Sequence, residues 1–511
     1  MYLVINLGLK SIRIIVFDDE AKVIYSDSLP IHTFLKKNRV EQDVNEWKDL
    51  LFKLLNVLNL KTDLIGKIKY ITSTASSSCV FAYDRDMQPI TNVLMVSDRR
   101  AFKEVSSIKS NSVFIERNKE TTINCSVSSN IPKLLWFKNN EPNIFKKIKY
   151  WIGANEFLNY MLTGELFTDS LNASKSFYSD ITNKYHEDIL SDLSMSSKMF
   201  PKVHPIGSSY KLNNSIIENF SFSKECRYVL TSYDAICAVI GSHTGLDGDV
   251  CDVSGTVTSV RVLSSKNIKL RNKSSVILQQ EIPLINKTII GSSNNLGGGI
   301  IEWYKQTFFK SNFEKTYFQM INESMLSPPG ANGLLFLPFL LGERAPFVNE
   351  NIRGSFFGIN RDSSRNDFTR AVFESTAFVT MDLLSLIRNE GILTTSLCVG
   401  GGLARIDEIN QIKADVTNLP VKVLKNFEST SLGALILIKL SLSHFGSLNE
   451  AAAKLVPIKK IIYPNKSNVQ IYLEIFKFYK KMTDFTIDIS SFHSEITNKL
   501  NKYSNSILRN L

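Results

Sequence analysis

The chain has 511 residues, more than a single hydrophobic core usually supports, so two domains are expected. Hydrophobic residues make up 43% and charged residues 21%, as in ordinary globular proteins, and no apolar run approaches the roughly 20 residues that span a bilayer. The opening MYLVINLGLK has neither a basic n-region nor a small-residue cleavage site, so we expect no signal peptide. These features favour a cytoplasmic protein with no membrane partner.

The net charge of +11 is the kind of value that suggests nucleic-acid binding. The basic residues are spread along the chain, however, and they occur without zinc-finger spacing, a basic zipper or an aromatic RNA-binding motif. We therefore expect no nucleic-acid partner. The cysteines are scattered and form no C-x-x-C pair, which predicts free thiols in a reducing compartment. They are Cys79, Cys125, Cys226, Cys237, Cys251 and Cys398.

The first half opens with short apolar runs separated by turns, which predicts a meander of strands with a turn at Gly8. Strands are predicted at 2–6, 12–17 and 23–29, and further strand-like stretches at 68–72 and 79–83. A helix is predicted to begin after Asp43, because apolar residues recur there at helical spacing. A second helical pattern runs from 133 to 164 and ends at Gly164, a residue suited to a C-cap.

The second half repeats the opening pattern, with a Gly255-Thr256 turn between apolar runs at 250–253 and 258–262. Two meanders of one type suggest two similar domains with a boundary near 240–248. The elements predicted downstream are a helix at 366–389, a strand at 395–399, a glycine triplet at 400–402, a helix to Asn418, a strand at 421–424, another helix, and a polar helical tail at 466–511.

Phosphate-binding loops of the common types are missing from the sequence. It contains no Walker G-x-x-x-x-G-K-[ST] motif and no Rossmann G-x-G-x-x-G in a strand–helix context. The turns at Gly8 to Ser11 and at Gly255-Thr256 could present backbone N–H groups to an anion. Either turn alone could equally be a plain hairpin.

A longer motif lies at 354–374. Gly354-Ser-Phe-Phe-Gly358-Ile is followed after seven residues by Asp367-Phe-x-x-Ala371-Val-Phe-Glu374. This stretch resembles the C-terminal signature of the FGGY family of carbohydrate kinases at every constrained position. The same residues also describe a buried Phe-rich turn before a core helix, which is compatible with the resemblance.

The resemblance extends over about residues 1–450. The matching segments are Val40-Glu-Gln-Asp43 with Trp47, Ser97-Asp98-Arg99-Arg100-Ala101, Lys133-Leu-Leu-Trp136, Leu162-Thr-Gly-Glu165, Thr168-Asp169-Ser170 with Ala173-Ser174, Gly400-Gly-Gly402, Gln411 to Asp415, and Ser431-Leu-Gly433-Ala434. Within the N-terminal signature, Asn130 replaces the usual Pro, Ser or Thr.

The family implies an α/β fold with two RNase H-like (actin-like ATPase) domains flanking a cleft. We expect these at 1–245 (sugar side) and 246–460 (nucleotide side), followed by a helical extension at 461–511. The implied activity is ATP-dependent phosphorylation of a hydroxyl on a small sugar, sugar acid or polyol, with ATP and Mg²⁺ as cofactors. A homodimer would also be in keeping with the family.

The resemblance also implies roles for individual residues. Asp234 would be the general base and lie near Mg²⁺, with Asn6 as the second metal ligand; a carboxylate within reach of the acceptor hydroxyl can take its proton. Asp98, Arg100, Ser77 and Ser78 would form the substrate side, although Arg100 could instead belong to a structural ion pair. The residues expected to bind ATP are Gly8, Ser11, Arg13, Gly255, Thr256, Gly298, Gly401 and Gly402.

Two departures from the family pattern affect these expectations. The first phosphate loop usually begins D-x-G-T, but here it has Asn6 and Leu9, so one negative charge and one hydroxyl are missing. Lys10 could compensate by meeting a phosphate. A catalytically weak sugar sensor on the same scaffold is therefore an alternative to an active kinase. An actin-like ATPase or chaperone is a further rival, which the signature at 354–374 disfavours.

The second departure concerns the sugar. Pentulose and gluconate kinases of the family often have a Met-His pair where this chain has Ser77 and Ser78, and a hydroxyl makes different hydrogen bonds from an imidazole. The segments Gly342-Glu-Arg-Ala-Pro346 and 351–357, in contrast, are most similar to the gluconate and xylulose branches. The sequence therefore leaves the substrate open.

Overall fold

The computed structural model describes residues 1–61, 63–121, 123–255, 257–265, 276–309, 315–425 and 428–509. The chain forms two compact units, and each is made of more than one segment. The first unit comprises Met1–Gly241, Pro283–Ile285 and Glu428–Leu455. The second comprises Ser242–Ile282, Asn286–Phe427 and Val456–Leu511.

The elements up to Gly241 belong to the first unit. Its strands are β1 (Tyr2–Leu7), β2 (Ser11–Phe17), β3 (Val23–Pro30), β4 (Phe34–Lys36), β5 (Arg39–Gln42), β6 (Tyr70–Ala75), β7 (Val80–Tyr83), β8 (Val93–Leu94), β9 (Tyr150–Gly153), β10 (Phe167–Thr168), β11 (Tyr178–Ser179), β12 (Lys184–Tyr185), β13 (Lys202–Val203), β14 (Ser209–Lys211) and β15 (Arg227–Val229). Its helices are α1 (Val44–Lys61), α2 (Phe102–Lys109), α3 (Ser112–Glu120), α4 (Asn130–Asn140), α5 (Pro142–Phe145), α6 (Ala154–Thr163), α7 (Ser170–Ala173), α8 (Glu187–Asp192), α9 (Asn214–Phe220) and α10 (Asp234–Ile240).

The remaining elements belong to the second unit, except for two helices. The strands are β16 (Asp249–Ser254), β17 (Thr258–Ser265), β18 (Leu278–Ile282), β19 (Lys287–Ser293), β20 (Leu335–Leu337), β21 (Ser355–Phe357), β22 (Ser396–Gly400), β23 (Val421–Leu424) and β24 (Ile458–Ile462). The helices are α11 (Gly299–Phe308), α12 (Lys315–Leu326), α13 (Arg365–Asn389), α14 (Asp407–Thr417), α15 (Ser429–Ser441), α16 (Leu448–Leu455) and α17 (Lys466–Arg509). Helices α15 and α16 return to the first unit.

The main sheets of the two units share one topology. In the first unit the order is β14-β15-β6-β1-β2-β3, and in the second it is β18-β19-β17-β16-β22-β23-β24. In each unit an antiparallel meander (β1–β2–β3, or β16–β17–β19) is extended on the side of its first strand by two parallel strands. The predicted repeat of one domain type is therefore confirmed, and both meanders lie where the sequence predicted them.

Burial of both faces explains why the first strand is apolar almost throughout. In β1, Leu3, Val4 and Ile5 are fully buried. Helix α1 contacts β2 in the same sheet, and α15 contacts β1 and β6. A strand covered on both sides loses the polar alternation of a half-exposed strand. The same core receives Trp47 and Leu51 of α1, which confirms the helix predicted after Asp43.

The structure corrects the predicted helical stretch at 133–164. Helices α4 and α6 are separated by α5 and by strand β9, which pairs antiparallel with β7. Tyr-Trp-Ile-Gly is an aromatic and β-branched run that favours a strand, but it is too short to stand out between two helices. The end of the stretch is as predicted, because Gly164 has φ 79° and caps α6.

The domain limits of the structure differ from the predicted 245/246 and 460/461. Residues 428–455 join the first unit because α15 packs against α10, β1 and β6. At the other end, β24 pairs with β23 and so continues the second sheet beyond residue 460. The predicted helical tail is α17, and its Tyr472 hydroxyl accepts from Arg370 at 2.7 Å and donates to Glu374 at 2.7 Å.

Within the described ranges, no helix is both long enough and apolar enough to cross a bilayer. The six cysteines all lie within the described residues, and they are buried thiols that form no disulfide.

Candidate active site

The turn between β1 and β2 is held by a side chain outside it. The Gly8 amide donates to the Ser11 carbonyl at 3.0 Å, which closes the turn. The Gln42 side-chain amide donates to the Leu9 carbonyl at 2.8 Å, and its oxygen accepts from the Trp47 indole at 2.9 Å. Gln42 is fully buried. Through Gln42 and Trp47, the Val-Glu-Gln-Asp motif therefore holds the predicted phosphate turn in place.

Arg13, predicted to bind ATP, is about one-third exposed and forms an ion pair with Glu428, the residue before α15. On the facing strand, Asn6 is the register partner of Arg13. The Asn6 side-chain oxygen is buried and has no hydrogen-bond partner among the described residues. A buried amide oxygen without a partner costs free energy, so this atom is suited to receive a ligand.

Asn6 and Asp234 lie at the same edge of the first sheet. Asn6 is paired with Thr74 of the parallel strand β6, and the Thr74 hydroxyl donates to the Ser232 carbonyl at 2.9 Å. Two residues later Asp234 begins α10, where its carboxylate accepts from the Ala235 amide at 2.7 Å. The carboxyl ends of parallel strands meet at one edge, and both residues predicted to bind the metal lie at this edge.

Helix α10 owes its position to two glycines. A Cβ at Gly241 would lie 1.9 Å from the Ser429 carbonyl oxygen, and one at Gly433 would lie 1.8 Å from the Cys237 carbonyl oxygen. Helices α10 and α15 therefore touch through their backbones, a contact that only glycine permits. The Ser431-Leu-Gly433-Ala434 segment, one of those that resemble the family, has this packing role in the first unit.

A buried carboxylate that the sequence did not single out as functional supports the segment between β15 and Asp234. Asp169 accepts from the Ser232 hydroxyl at 3.0 Å and from the Asn172 side chain at 2.6 Å. Burial raises the pKa of Asp169 to about 6. Asn172 in turn accepts from Asn155, which bonds both the amide and the carbonyl of Ala75. The Thr-Asp-Ser segment gave the signal for this network, but its role depends on contacts far apart in sequence.

The predicted sugar side contains a closed cluster of charges. Arg100 binds both oxygens of Asp98, at 2.9 and 2.7 Å, and also binds Glu41. Its guanidinium carbon lies 5.0 Å from the centre of the Trp136 ring. Although burial opposes it, hydrogen bonds from Asn92 and Arg100 lower the pKa of Glu41. Arg100 is thus part of a structural ion pair, the alternative that the sequence left open.

Ser77 and Ser78 lie in the loop at 76–79 that joins β6 to β7, called the serine loop below. Ser78 has φ 64°, in the left-handed region, and its carbonyl accepts from the fully buried Lys133 at 2.7 Å. The same ammonium donates to the Met95 carbonyl at 2.8 Å, three residues before Asp98. The four predicted substrate residues therefore lie on two loops that one lysine joins.

The second unit brings together three of its predicted glycines. The Gly298 amide donates to the Gly255 carbonyl at 2.7 Å, and a Cβ at Gly298 would lie 2.6 Å from that oxygen. Gly401 has φ 81°, and a Cβ there would lie 2.7 Å from the Ser254 carbonyl oxygen. Gly402 follows at the start of a short 3₁₀ turn, with open space where a Cβ would be. Thr256 lies outside the described residues.

A buried hydrogen-bond network that the sequence did not predict lies next to these glycines, around Asp252. The Lys413 ammonium donates to Asp252 at 2.5 Å and to the Ser254 hydroxyl at 2.8 Å. The Thr380 hydroxyl also donates to Asp252, at 3.0 Å. Ser254 directly precedes Gly255, so the network anchors the glycine turn. Lys413 lies within the Gln411–Asp415 motif, but a lysine on a helix ordinarily indicates a solvated face.

The comparisons with known proteins identify the family. The model of the FGGY carbohydrate kinase N-terminal domain matches residues 1–241, and that of the C-terminal domain matches residues 277–441. The chain belongs to the FGGY family of carbohydrate kinases. It is an enzyme that phosphorylates a sugar or polyol at the expense of ATP, and its two units are the actin-like ATPase domains of that family.

Its relatives include several sugar kinases. This kinase is 26% identical over 498 residues to a xylulose kinase of Staphylococcus epidermidis, covering 97% of this chain and 98% of the relative. It is 24% identical over 445 residues to a gluconokinase of Bacillus licheniformis, covering 85% and 86%.

Solved structures show the same fold. A ligand-bound xylulose kinase from Lactobacillus acidophilus superposes with a TM-score of 0.88 at 23% identity, covering 97% of this kinase and 100% of that chain. A gluconate kinase from the same organism superposes with a TM-score of 0.87 at 23% identity, covering 97% and 99%.

Proposed function

We propose that this kinase transfers the γ-phosphoryl group of ATP to a hydroxyl of a small neutral sugar or polyol, with Asp234 as the general base. The observation that carries the assignment of Asp234 is the edge of the first sheet, where the carboxylate lies with Asn6 and the serine loop after β6. A carboxylate within reach of the acceptor takes its proton as the oxygen attacks phosphorus. The proton moves to the Asp234 carboxylate, and ADP leaves with the electrons of the broken P–O bond.

A neutral acceptor is favoured by the charge balance at Arg100. The sequence assigned this guanidinium to the sugar side, but two carboxylates, Asp98 and Glu41, already pair with it. A sugar acid would need a cation for its carboxylate, and a cation so paired offers little further attraction. The hydroxyls of Ser77 and Ser78 are suited to bind sugar hydroxyls instead. We therefore rank ketoses and polyols above aldonates.

Mg²⁺ is proposed as the cofactor, with Asn6 and Asp234 as its protein ligands. Among the described residues there is no cluster of three or more His, Cys, Asp and Glu suited to a metal. Mg²⁺ in kinases usually takes only one or two protein oxygens and completes its shell with water and phosphate. The unpartnered Asn6 oxygen fits that pattern. When bound, Mg²⁺ would neutralise charge on the phosphates of ATP.

ATP is proposed to bind at the glycine turns of both units. In the second unit, Gly255, Gly298, Gly401 and Gly402 would approach the nucleotide through their backbones, together with Thr256. The contacts among Gly255, Gly298 and Gly401 support this assignment. In the first unit, Gly8, Ser11 and Arg13 would meet the terminal phosphates.

The proposal is tested by ADP release with Mg-ATP across ketopentoses, polyols, hexoses and aldonates, using wild type and Asp234→Ala. A general base contributes about 10²–10⁴-fold, so we expect the variant to lose turnover by that factor with its unfolding temperature unchanged. Full activity in Asp234→Ala would refute the base, and a preference for aldonates would refute the neutral acceptor. ATP and sugar binding with no ADP release by the wild type would favour a sugar sensor, the function suggested by Asn6 and Leu9.

A further inference from the structure

Lys133 is a lysine with no exposed surface. It lies in the first turn of α4, and its ammonium donates to the Ser78 carbonyl at 2.7 Å and to the Met95 carbonyl at 2.8 Å. Burying an ammonium is costly unless its protons are satisfied. Here the carbonyl partners belong to the ends of two loops, so the cost of burial is offset only while both loops stay in place.

The two loops come from different sheets of the first unit. Ser78 follows β6, a central strand of the six-stranded sheet, whereas Met95 follows β8 in the five-stranded sheet. Ser78 is also held in a left-handed conformation, φ 64°. Such a conformation persists in a residue other than glycine when the surroundings impose it. The hydrogen bond from Lys133 to the carbonyl of Ser78 is one such constraint.

Helix α4 supports the second loop through another side chain. Trp136, one turn after Lys133, lies under the Arg100 guanidinium at 5.0 Å. Arg100 binds Asp98, and Asp98 accepts from the Val40 amide at 2.8 Å. One helix thus holds the serine loop and the Ser97–Arg100 loop together, the two loops to which we assign the acceptor.

We propose that Lys133 is a positioning residue for the acceptor sugar: by joining the carbonyls of Ser78 and Met95 it sets the separation of the two loops that bind the sugar. This inference rests on the proposed function. It predicts that loss of the ammonium weakens use of the sugar while leaving use of ATP unchanged, because the proposed nucleotide contacts lie on other loops.

Because the Lys133 ammonium can lose its proton, binding of the sugar should also depend on pH. Burial lowers the pKa of Lys133 to about 8. The ionisable groups that face it are Cys79, Asp98 and Arg100. Burial raises the pKa of Cys79, and the pKa of Arg100 is raised by its carboxylate partners against the effect of burial. Lys133 therefore loses its proton as pH rises through about 8, and we expect the KM for sugar to rise over the same interval.

The experiment compares Lys133→Met with Lys138→Met. Lys138 lies on the same helix and also donates to a carbonyl, that of Leu193 at 2.8 Å, and Leu193 belongs to neither loop. A misplacement of about 1 Å can cost about 10²-fold in rate, so we expect kcat/KM for sugar to fall about 10- to 100-fold in Lys133→Met. The KM for ATP should stay within about twofold, and Lys138→Met should match wild type. The rise of sugar KM near pH 8 should be present in wild type and Lys138→Met and missing in Lys133→Met.

Equal losses toward sugar and ATP in folded Lys133→Met, or an unchanged sugar KM, would overturn the proposal. If that variant does not fold, the pH profile of wild type decides, and a flat sugar KM between pH 7 and 9.5 overturns the proposal.

Hydrogen exchange provides a readout without turnover: amides 76–79 and 96–98 should exchange faster in Lys133→Met than in Lys138→Met. If exchange is faster in Lys133→Met but the wild type shows no sugar-dependent activity, the proposed function is refuted, whereas the role of Lys133 in fixing the two loops is supported. Unchanged exchange would refute that hold.

Discussion

Replacement of Gly433 by alanine should push α10 and α15 apart and displace the proposed base. The added Cβ would lie 1.8 Å from the Cys237 carbonyl oxygen, whereas ordinary contact begins at 3.4 Å, so the helices would have to separate by about 1.6 Å. Because the clash is with helix backbone, no side chain can rotate away to relieve it. Cys237 lies one turn from Asp234, so the displacement reaches the carboxylate.

The size of the effect follows from this displacement. A shift of about 1 Å can cost about 10²-fold in rate, and overpacking a core costs about 1–3 kcal/mol. We therefore expect kcat for ADP release to fall at least about 100-fold and Tm to fall by about 2–10 °C. Gly66→Ala is the matched control, because a Cβ there meets nothing within 4 Å; it should leave both quantities unchanged.

Two results would refute this reasoning. An unchanged Tm in Gly433→Ala would mean that the helices are not packed backbone to backbone. A lower Tm with unchanged kcat would mean that the spacing of the helices does not set the position of Asp234. Thermal unfolding by circular dichroism and a coupled ADP assay on the same sample distinguish the two.

Three further predictions concern other parts of the molecule. Asn6→Asp should restore a charge at the metal position and lower the Mg²⁺ concentration for half-maximal ADP release; an unchanged Mg²⁺ dependence would exclude Asn6 as a ligand. Burial raises the pKa of Asp169 to about 6, so the folded state favours its protonated form. This contribution to stability is complete below about pH 4 and is lost as pH rises to about 6, so Tm should fall between these two pH values. Asp169→Asn should flatten that decline, and an identical pH profile would contradict it. Tyr472→Phe removes the hydrogen bonds to Arg370 and Glu374 and should lower the free energy of unfolding in urea by about 1–3 kcal/mol. An unchanged free energy of unfolding would mean that these bonds do not hold α17 in place.

The elements that the sequence predicted well are those determined by local pattern. The meanders at β1–β2 and β16–β17 stand out because apolar runs alternate with glycine turns, and α13 stands out because its apolar spacing runs for seven turns before Gly391. Strand β9 was missed because its four residues carry no period of their own. Its conformation is imposed by pairing with β7, some 70 residues earlier in the chain.

In the candidate site, too, the sequence predicted what depends on local motifs and missed what depends on contacts between distant residues. The resemblance to a family named Asp234, Asn6 and the glycine turns as candidates from their motifs alone, and the structure places Asn6 and Asp234 at one edge of the first sheet. It could not show that Arg100 is already paired, because Glu41 and Asp98 approach it only in the folded state. Nor could it show that Lys413 and Lys133 are buried. A lysine is ordinarily solvated, and only a partner distant in sequence, Asp252 or the Ser78 carbonyl, reveals the exception.

The return of α15 and α16 to the first unit has a consequence for biosynthesis. A ribosome releases residues 1–241 long before it reaches Glu428–Leu455, yet that late segment covers β1, β6 and α10. Translation at about 5–20 residues per second leaves a delay of about 10–40 s during which the apolar surface of those elements is uncovered. The N-terminal half is therefore expected to need a chaperone during this interval. Expressed alone, it should aggregate, and adding a separate chain that contains α15 should rescue it.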